Sequence, residues 1–151
     1  MRSNSDHSNL GPRASRPGEL LQDLSMLIVE DEFLVAIDIE MTLRNAGASD
    51  VAIVANVEDA WDALKNTSID AALLDIRLPD GYSFPLAMHL YSHAVPVVMH
   101  SGHAELYHSA KLPGIMFCPK PATPAEIVAS ILKAQQFARL PQSTLLEETL
   151  H

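Results

Sequence analysis

Residues 71–81 read Ala-Ala-Leu-Leu-Asp-Ile-Arg-Leu-Pro-Asp-Gly. The first four are apolar without alternation, which is the pattern of a strand covered on both faces, and Asp75 closes it. Leu78 to Gly81 then supplies turn residues: Pro presets one backbone angle, and Asp and Gly tolerate the sharp reversal. An acid at the carboxyl end of a buried strand is the deciding feature. In open α/β sheets ligands gather at those ends, where the strand order reverses.

The same unit recurs on either side. Upstream, Ser25 to Glu30 is an apolar strand ending in Glu30-Asp31-Glu32. A helix over 32–46 follows, with Phe33, Ile37 and Met41 at helical spacing, Leu34 beside them and Gly47 as its stop. A strand at 51–55 leads to Asn56, an N-cap for a helix through Trp61 and Leu64. Downstream, a helix runs from Ser83 to Tyr91 with Pro85 in its first turn. A strand at 95–100 precedes Ser101, a short weak helix covers 104–110, and a strand at 114–118 precedes Lys120. Thr123-Pro-Ala-Glu126 is a capping box that opens a last helix through Ile127, Ile131 and Ala138. The order βαβαβαβαβα predicts a doubly wound α/β fold with a five-stranded parallel sheet.

The rest of the composition bounds the function. The 151 residues, 48% of them hydrophobic, suffice for one domain. Residues 1–22 are rich in Ser, Asn, Arg, Gly and Pro and read as a flexible leader, 23–140 as the domain and 141–151 as a short tail. A net charge of −9 argues against nucleic acid as a partner. The single cysteine, Cys118, cannot make an internal disulfide and reads as a buried strand residue. Neither a secretory h-region nor an apolar run of about 18 residues is present, so no membrane span is expected and the cytoplasm is the expected location.

Glu30, Asp31, Asp75, Ser101 and Lys120 all fall at the ends of four of the five strands, so separate segments would converge on one crevice. Clustered carboxylates repel unless a cation sits among them. Oxygen donors alone favour a hard ion such as Mg2+. A carboxylate beside the metal could attack phosphorus, Lys120 could neutralise phosphoryl oxygens, and Ser101 could donate a hydrogen bond. Singly, each has a plainer reading: acids favoured at a helix start, turn chemistry around Asp75, a Ser-Gly loop, a Lys-Pro surface turn. Of the seven histidines none reads as a ligand pair; His100 and His103 straddle a strand-to-loop change.

The segments LIVEDE (27–32), LLDIRLPDG (73–81), VVMHSG (97–102) and FCPKP (117–121) resemble the receiver domains of bacterial two-component response regulators over Ser25 to Arg139. The resemblance implies a flavodoxin-like (βα)5 fold and a switch rather than an enzyme. Asp75 would accept a phosphoryl group from a histidine kinase or histidine phosphotransfer protein. Asp31, Asp75 and the backbone carbonyl of Arg77 would bind Mg2+, with Glu30 assisting through water. Lys120 would pair with the phosphoryl group, Ser101 and Phe117 would act as the switch, and the Lys120-Pro121 bond would be cis. A downstream protein target is implied, and a homodimer is left open.

Residues 81–85 and the short region after Gly102 are similar to stand-alone receivers that partner HWE-type kinases. That group shows Phe-Ala-Thr-Gly-Tyr where this chain has Met99-His100-Ser101-Gly102-His103. Arg77 and His103 flank the path of water to the acceptor and are candidates for tuning phosphoryl lifetime. Three rivals compete. A haloacid-dehalogenase-like phosphatase needs an acid where Arg77 stands. A phosphorylation-independent interaction module would usually have lost part of the acid-Ser-Lys set. A DNA-binding regulator needs an output domain that the chain has no residues left to build.

Overall fold

The computed structural model describes residues 16–139. A 3-10 turn at Pro17–Glu19 leads into β1 (Ser25–Val29), α1 (Phe33–Asn45), β2 (Asp50–Val54), α2 (Val57–Asn66) and β3 (Ala71–Leu74). A two-residue hairpin of β4 (Arg77–Leu78) and β5 (Gly81–Tyr82) precedes α3 (Phe84–Ser92), β6 (Val97–Ser101), α4 (Ala104–Ala110), β7 (Met116–Pro119) and α5 (Pro124–Ala138). The main sheet is all parallel in the order β2-β1-β3-β6-β7, which is the flavodoxin-like arrangement. The winding reverses between β1 and β3, so the crevice belongs at their carboxyl ends.

Both faces of the sheet are covered, as the unalternating strands require. Met26, Ile28, Leu73 and Val98 pack with α1 and α5 residues such as Ile39, Leu43, Ile127 and Ile131. Leu27, Val29, Leu74 and Met99 form the opposite core with Ala60, Leu86 and Leu90. The caps read from the sequence form as expected. Asn56 accepts the Asp59 amide at 2.7 Å, and Thr123 and Glu126 exchange both capping-box bonds at 3.2 Å, the first worth about 1 kcal/mol when a cap is lost.

Three features go beyond the sequence reading. The inward stripe of α1 is Ala36, Ile39 and Leu43, whereas Phe33, Leu34 and Met41 are 72%, 76% and 58% exposed. Both stripes repeat at helical spacing, and periodicity does not set which one meets the sheet. The expected boundary at 22–23 cuts through packed structure: Leu21 is fully buried with Leu43 and Ala46. Its amide donates to the Ala46 carbonyl at 2.8 Å, and that of Asp23 to Gly47 at 3.1 Å. Gly47 is required here, with φ +107° and the Gly18 carbonyl 2.7 Å from where a Cβ would stand. The rest of the leader (1–15) and the tail (141–151) lie outside the described residues. Finally, the Leu-Pro-Asp-Gly turn closes an antiparallel β4–β5 ladder, pairing Arg77 with Tyr82 and Leu78 with Gly81. No helix among the described residues is long and apolar enough to cross a membrane.

Candidate functional site: an acidic crevice bridged by a lysine

The parallel ladder continues past β1, β3 and β7, and the residues there carry the site. The Glu30 amide donates to Val54 O (3.0 Å), Asp75 to Val29 O (2.9 Å) and Lys120 to Ser101 O (3.0 Å). The backbone beneath each side chain is therefore fixed by sheet hydrogen bonds rather than left to a loop. The result is that oxygens of Glu30, Asp31 and Asp75 lie within 4.8 Å of one another.

Lys120 crosses from β7 to join two of them. Its Nζ donates to Glu30 Oε2 at 2.6 Å and to Asp75 Oδ2 at 3.0 Å. The other oxygens of those acids are also engaged. Glu30 Oε1 accepts the Glu32 amide (3.1 Å) and Asp75 Oδ1 the Ile76 amide (2.7 Å). Asp31 stands at the exposed rim. Burial raises the Glu30 carboxyl above its ordinary value, and its bonds to Lys120 and the Glu32 amide offset this only partly. For Lys120, burial acts to lower the ammonium pKa, but the hydrogen bonds to Glu30 and Asp75 outweigh it and the net shift is upward. The lysine is held charged between the carboxylates.

The switch candidates sit on the other flank. Ser101, the last residue of β6, is fully buried, and its hydroxyl oxygen accepts the His103 amide at 3.2 Å. Phe117 on β7 is half-buried and stacks on Tyr107 of α4, with ring centroids 4.7 Å apart and planes at 15°. Arg77 is exposed on β4, and the His103 ring faces Glu105 with Nδ1 3.6 Å from its carboxylate. The structure thus brings Glu30, Asp31, Asp75 and Lys120 together, and leaves Ser101, Phe117, Arg77 and His103 around them. The Lys120-Pro121 peptide is cis.

Two residues escaped the sequence reading. The buried Ser83 hydroxyl donates to the Asp75 carbonyl while its amide donates to Ile76 O, tying the start of α3 to the acid. Tyr107 donates from its hydroxyl to Ile115 O at 2.7 Å and covers Phe117. A serine before a helix carries an N-cap signal, but Ser83 makes no cap bond, so its signal pointed to the wrong role. Tyr107 lies on a weak helix with nothing to mark it.

The donor set suits a hard divalent cation: three carboxylates and no sulfur or imidazole ligand among them. A half-buried lysine beside an acid with one flank open to solvent is also a place for an anionic group to dock.

Residues 26–132 match the family described as response regulator receiver domain. Curated protein sequences yield no match. Among solved structures, the chain resembles a response regulator receiver protein from Sinorhizobium medicae, at 27% identity and TM-score 0.71, over 79% of this chain and 99% of that one. It also resembles the PhyR stress response regulator (28%, TM-score 0.63, 82% of this chain and 50% of that one). The response regulator PhyR from Brucella abortus is a further relative in structure (25%, TM-score 0.68, 89% and 56%). The chain thus spans about half the length of both PhyR proteins. With the motif order, the sheet order and the acidic crevice all in agreement, the chain belongs to the response regulator receiver domain family.

Proposed function

We propose that the protein is a phospho-accepting switch of the cytoplasm, with Asp75 as the acceptor. The observation that carries this is Lys120 bridging Glu30 and Asp75 within a triad of carboxylates. The donor is a phosphohistidine on a histidine kinase or a histidine phosphotransfer protein. An Asp75 oxygen forms a bond to phosphorus as the phosphorus–nitrogen bond breaks, and the released imidazole keeps the electron pair and takes a proton.

Asp31, Asp75 and the Arg77 carbonyl would hold Mg2+, with Glu30 assisting through water. The ion supplies positive charge against the carboxylates and the transferring oxygens. Lys120 holds its charge beside the acceptor and exchanges a carboxylate partner for a phosphoryl oxygen. Ser101 turns its hydroxyl from the His103 amide toward the new group, and Phe117 and Tyr107 repack. That rearrangement changes the surface formed by β6, α4, β7 and α5, which a downstream protein reads. Arg77 and His103 tune the lifetime of the acyl phosphate, which decay rates of their Ala variants would register.

Incubation with Mg2+ and acetyl phosphate, followed by intact mass, tests the reading. One phosphoryl group gained by the wild type, absent from Asp75→Ala and abolished by EDTA, is the expected result. No gain in the wild type would replace the switch with a phosphorylation-independent interaction module.

A further inference from the structure

The carboxyl-terminal end of α3, remote from the acidic crevice, carries two histidines one helical turn apart. His89 lies in the last turn and His93 caps it. Residues at this spacing share a face. Both rings are exposed, and their centroids are 4.3 Å apart.

The hydrogen bonds fix which nitrogen His93 offers. His93 Nδ1 lies 2.8 Å from the His89 carbonyl, which can only accept, so Nδ1 carries the proton. The Ser92 hydroxyl donates to the same carbonyl at 2.7 Å and stands 3.2 Å from that nitrogen. In the neutral ring Nε2 is then left with its lone pair facing solvent. A ring that donates its second N–H to a backbone carbonyl is the usual arrangement of a metal-ligating histidine. The His89 ring is steadied from the other side by Trp61 of α2, edge-on at 4.9 Å and 66°.

A plainer account is that histidine is favoured at a helix carboxyl end because its cation meets the dipole. That account asks for one protonated ring. Two protonated rings this close would repel, and an ion pair does not relieve them: the described histidine beside a carboxylate is His103, facing Glu105. Two imidazoles with centroids 4.3 Å apart, one of them with its Nδ1 committed to a backbone carbonyl, are arranged as a ligand set.

We propose that His89 and His93 form a two-imidazole site for a borderline-soft divalent transition-metal ion, of the class of Cu2+, Ni2+ and Zn2+, with water in the remaining positions. The nitrogen donors set it apart from the oxygen-only crevice, which suits Mg2+. Affinity should rise from Ni2+ to Cu2+ and fall again at Zn2+.

Trp61, the one tryptophan of the chain, provides the readout. The full chain is titrated with CuCl2 or NiCl2 in excess Mg2+, which occupies the acidic crevice, and indole emission is followed. Zn2+ binding is measured in parallel by calorimetry. Saturable quenching is expected, with one Zn2+ bound per chain. His89→Gln and His93→Gln should each raise the midpoint by roughly 10–100-fold, the scale on which supporting contacts of a metal site already act, and His103→Gln should leave it in place. Because His89→Gln also alters the surroundings of Trp61, the midpoint and the calorimetric affinity decide, and the starting intensity does not. Midpoints and Zn2+ affinity unchanged in both variants, or quenching that never saturates, would overturn the site.

Discussion

On the β1–β3 side of the crevice Asp75 has both carboxylate oxygens bonded and its carbonyl held by Ser83, and the neighbouring α2 is pinned at its start by Asp80. That side chain accepts the amides of Val57 and Glu58 at 2.9 Å each, which lowers its pKa. On the β6–β7 side α4 has seven residues, buries none of them and has no side-chain cap. It ends at Lys111 in the left-handed region, with φ +48°. Its main anchors are the Tyr107 hydroxyl and the Tyr107–Phe117 stack. The contrast separates two tasks. The groups proposed to accept the phosphoryl group are over-determined, which favours electrostatic preorganisation. The element proposed to move has few contacts to break, and so would open at low cost.

Lys120 is the link between the halves, and removing it should have the largest effect. Lys120→Met is expected to slow acetyl phosphate transfer by about 10²–10³-fold, the usual cost of losing one preorganised charge donor. In EDTA it should also lose on the order of 2–3 kcal/mol of stability, less than for a fully buried pair because the lysine side chain is 20% exposed. Mg2+ should restore much of that loss, since a cation again sits among the carboxylates. Denaturant melts with and without Mg2+ check it, and unaltered stability in EDTA would mean the bridge holds nothing together.

Ser83→Ala probes the rigid half alone. It removes a buried hydroxyl donor from the Asp75 carbonyl and should cost about 1–3 kcal/mol, with hydrogen exchange rising at 75–84 and not at 104–112. Tyr107→Phe does the reverse. Loss of its bond to Ile115 should cost about 0.5–1.5 kcal/mol and raise exchange over 104–112 while 71–83 stays protected. Equal loss in both segments for either variant would erase the distinction between the halves.

The smallest effect expected is a change of slope. His100 is buried beside Lys120, with Nδ1 2.8 Å from the Cys118 carbonyl. Burial lowers its pKa, and the carbonyl opposes this only in part. The unfolded chain binds a proton near the ordinary value of 6.5, where the folded chain refuses it. Stability is therefore lost as pH falls below that value, and the loss levels off below the folded pKa. Glu30, with its raised pKa, acts in the opposite sense but is common to both proteins. His100→Gln should flatten the melting temperature across about pH 5–7. An unchanged slope would place the proton elsewhere.

Much of this was legible in the residues. Strand ends announced themselves because an apolar run must stop where polar chemistry begins, and Asn56 and Thr123 mark helix starts through local cap bonds, Pro85 through its fixed backbone angle, none needing a tertiary partner. Glu30, Asp31, Asp75 and Lys120 could be placed together because the fold order fixes which strand ends are adjacent. Other features depend on contacts that no local window contains. The phase of α1 is chosen by the sheet, since Phe33 and Ala36 lie on rival stripes of similar character. Leu21 sits in a polar, Pro-rich stretch whose average conceals one core residue. Ser83 and Tyr107 act through carbonyls distant in the chain, and the His89–His93 pair, which the sequence reading passed over, gains meaning only from the proton on Nδ1.

The central claim is that phosphate enters at Asp75. The most direct test is to phosphorylate the full chain with acetyl phosphate and Mg2+, reduce the acyl phosphate with borohydride to the alcohol, and map the peptides. Homoserine at position 75 alone is the predicted result. Homoserine at Asp31, or at several acids without dependence on Mg2+, would contradict it.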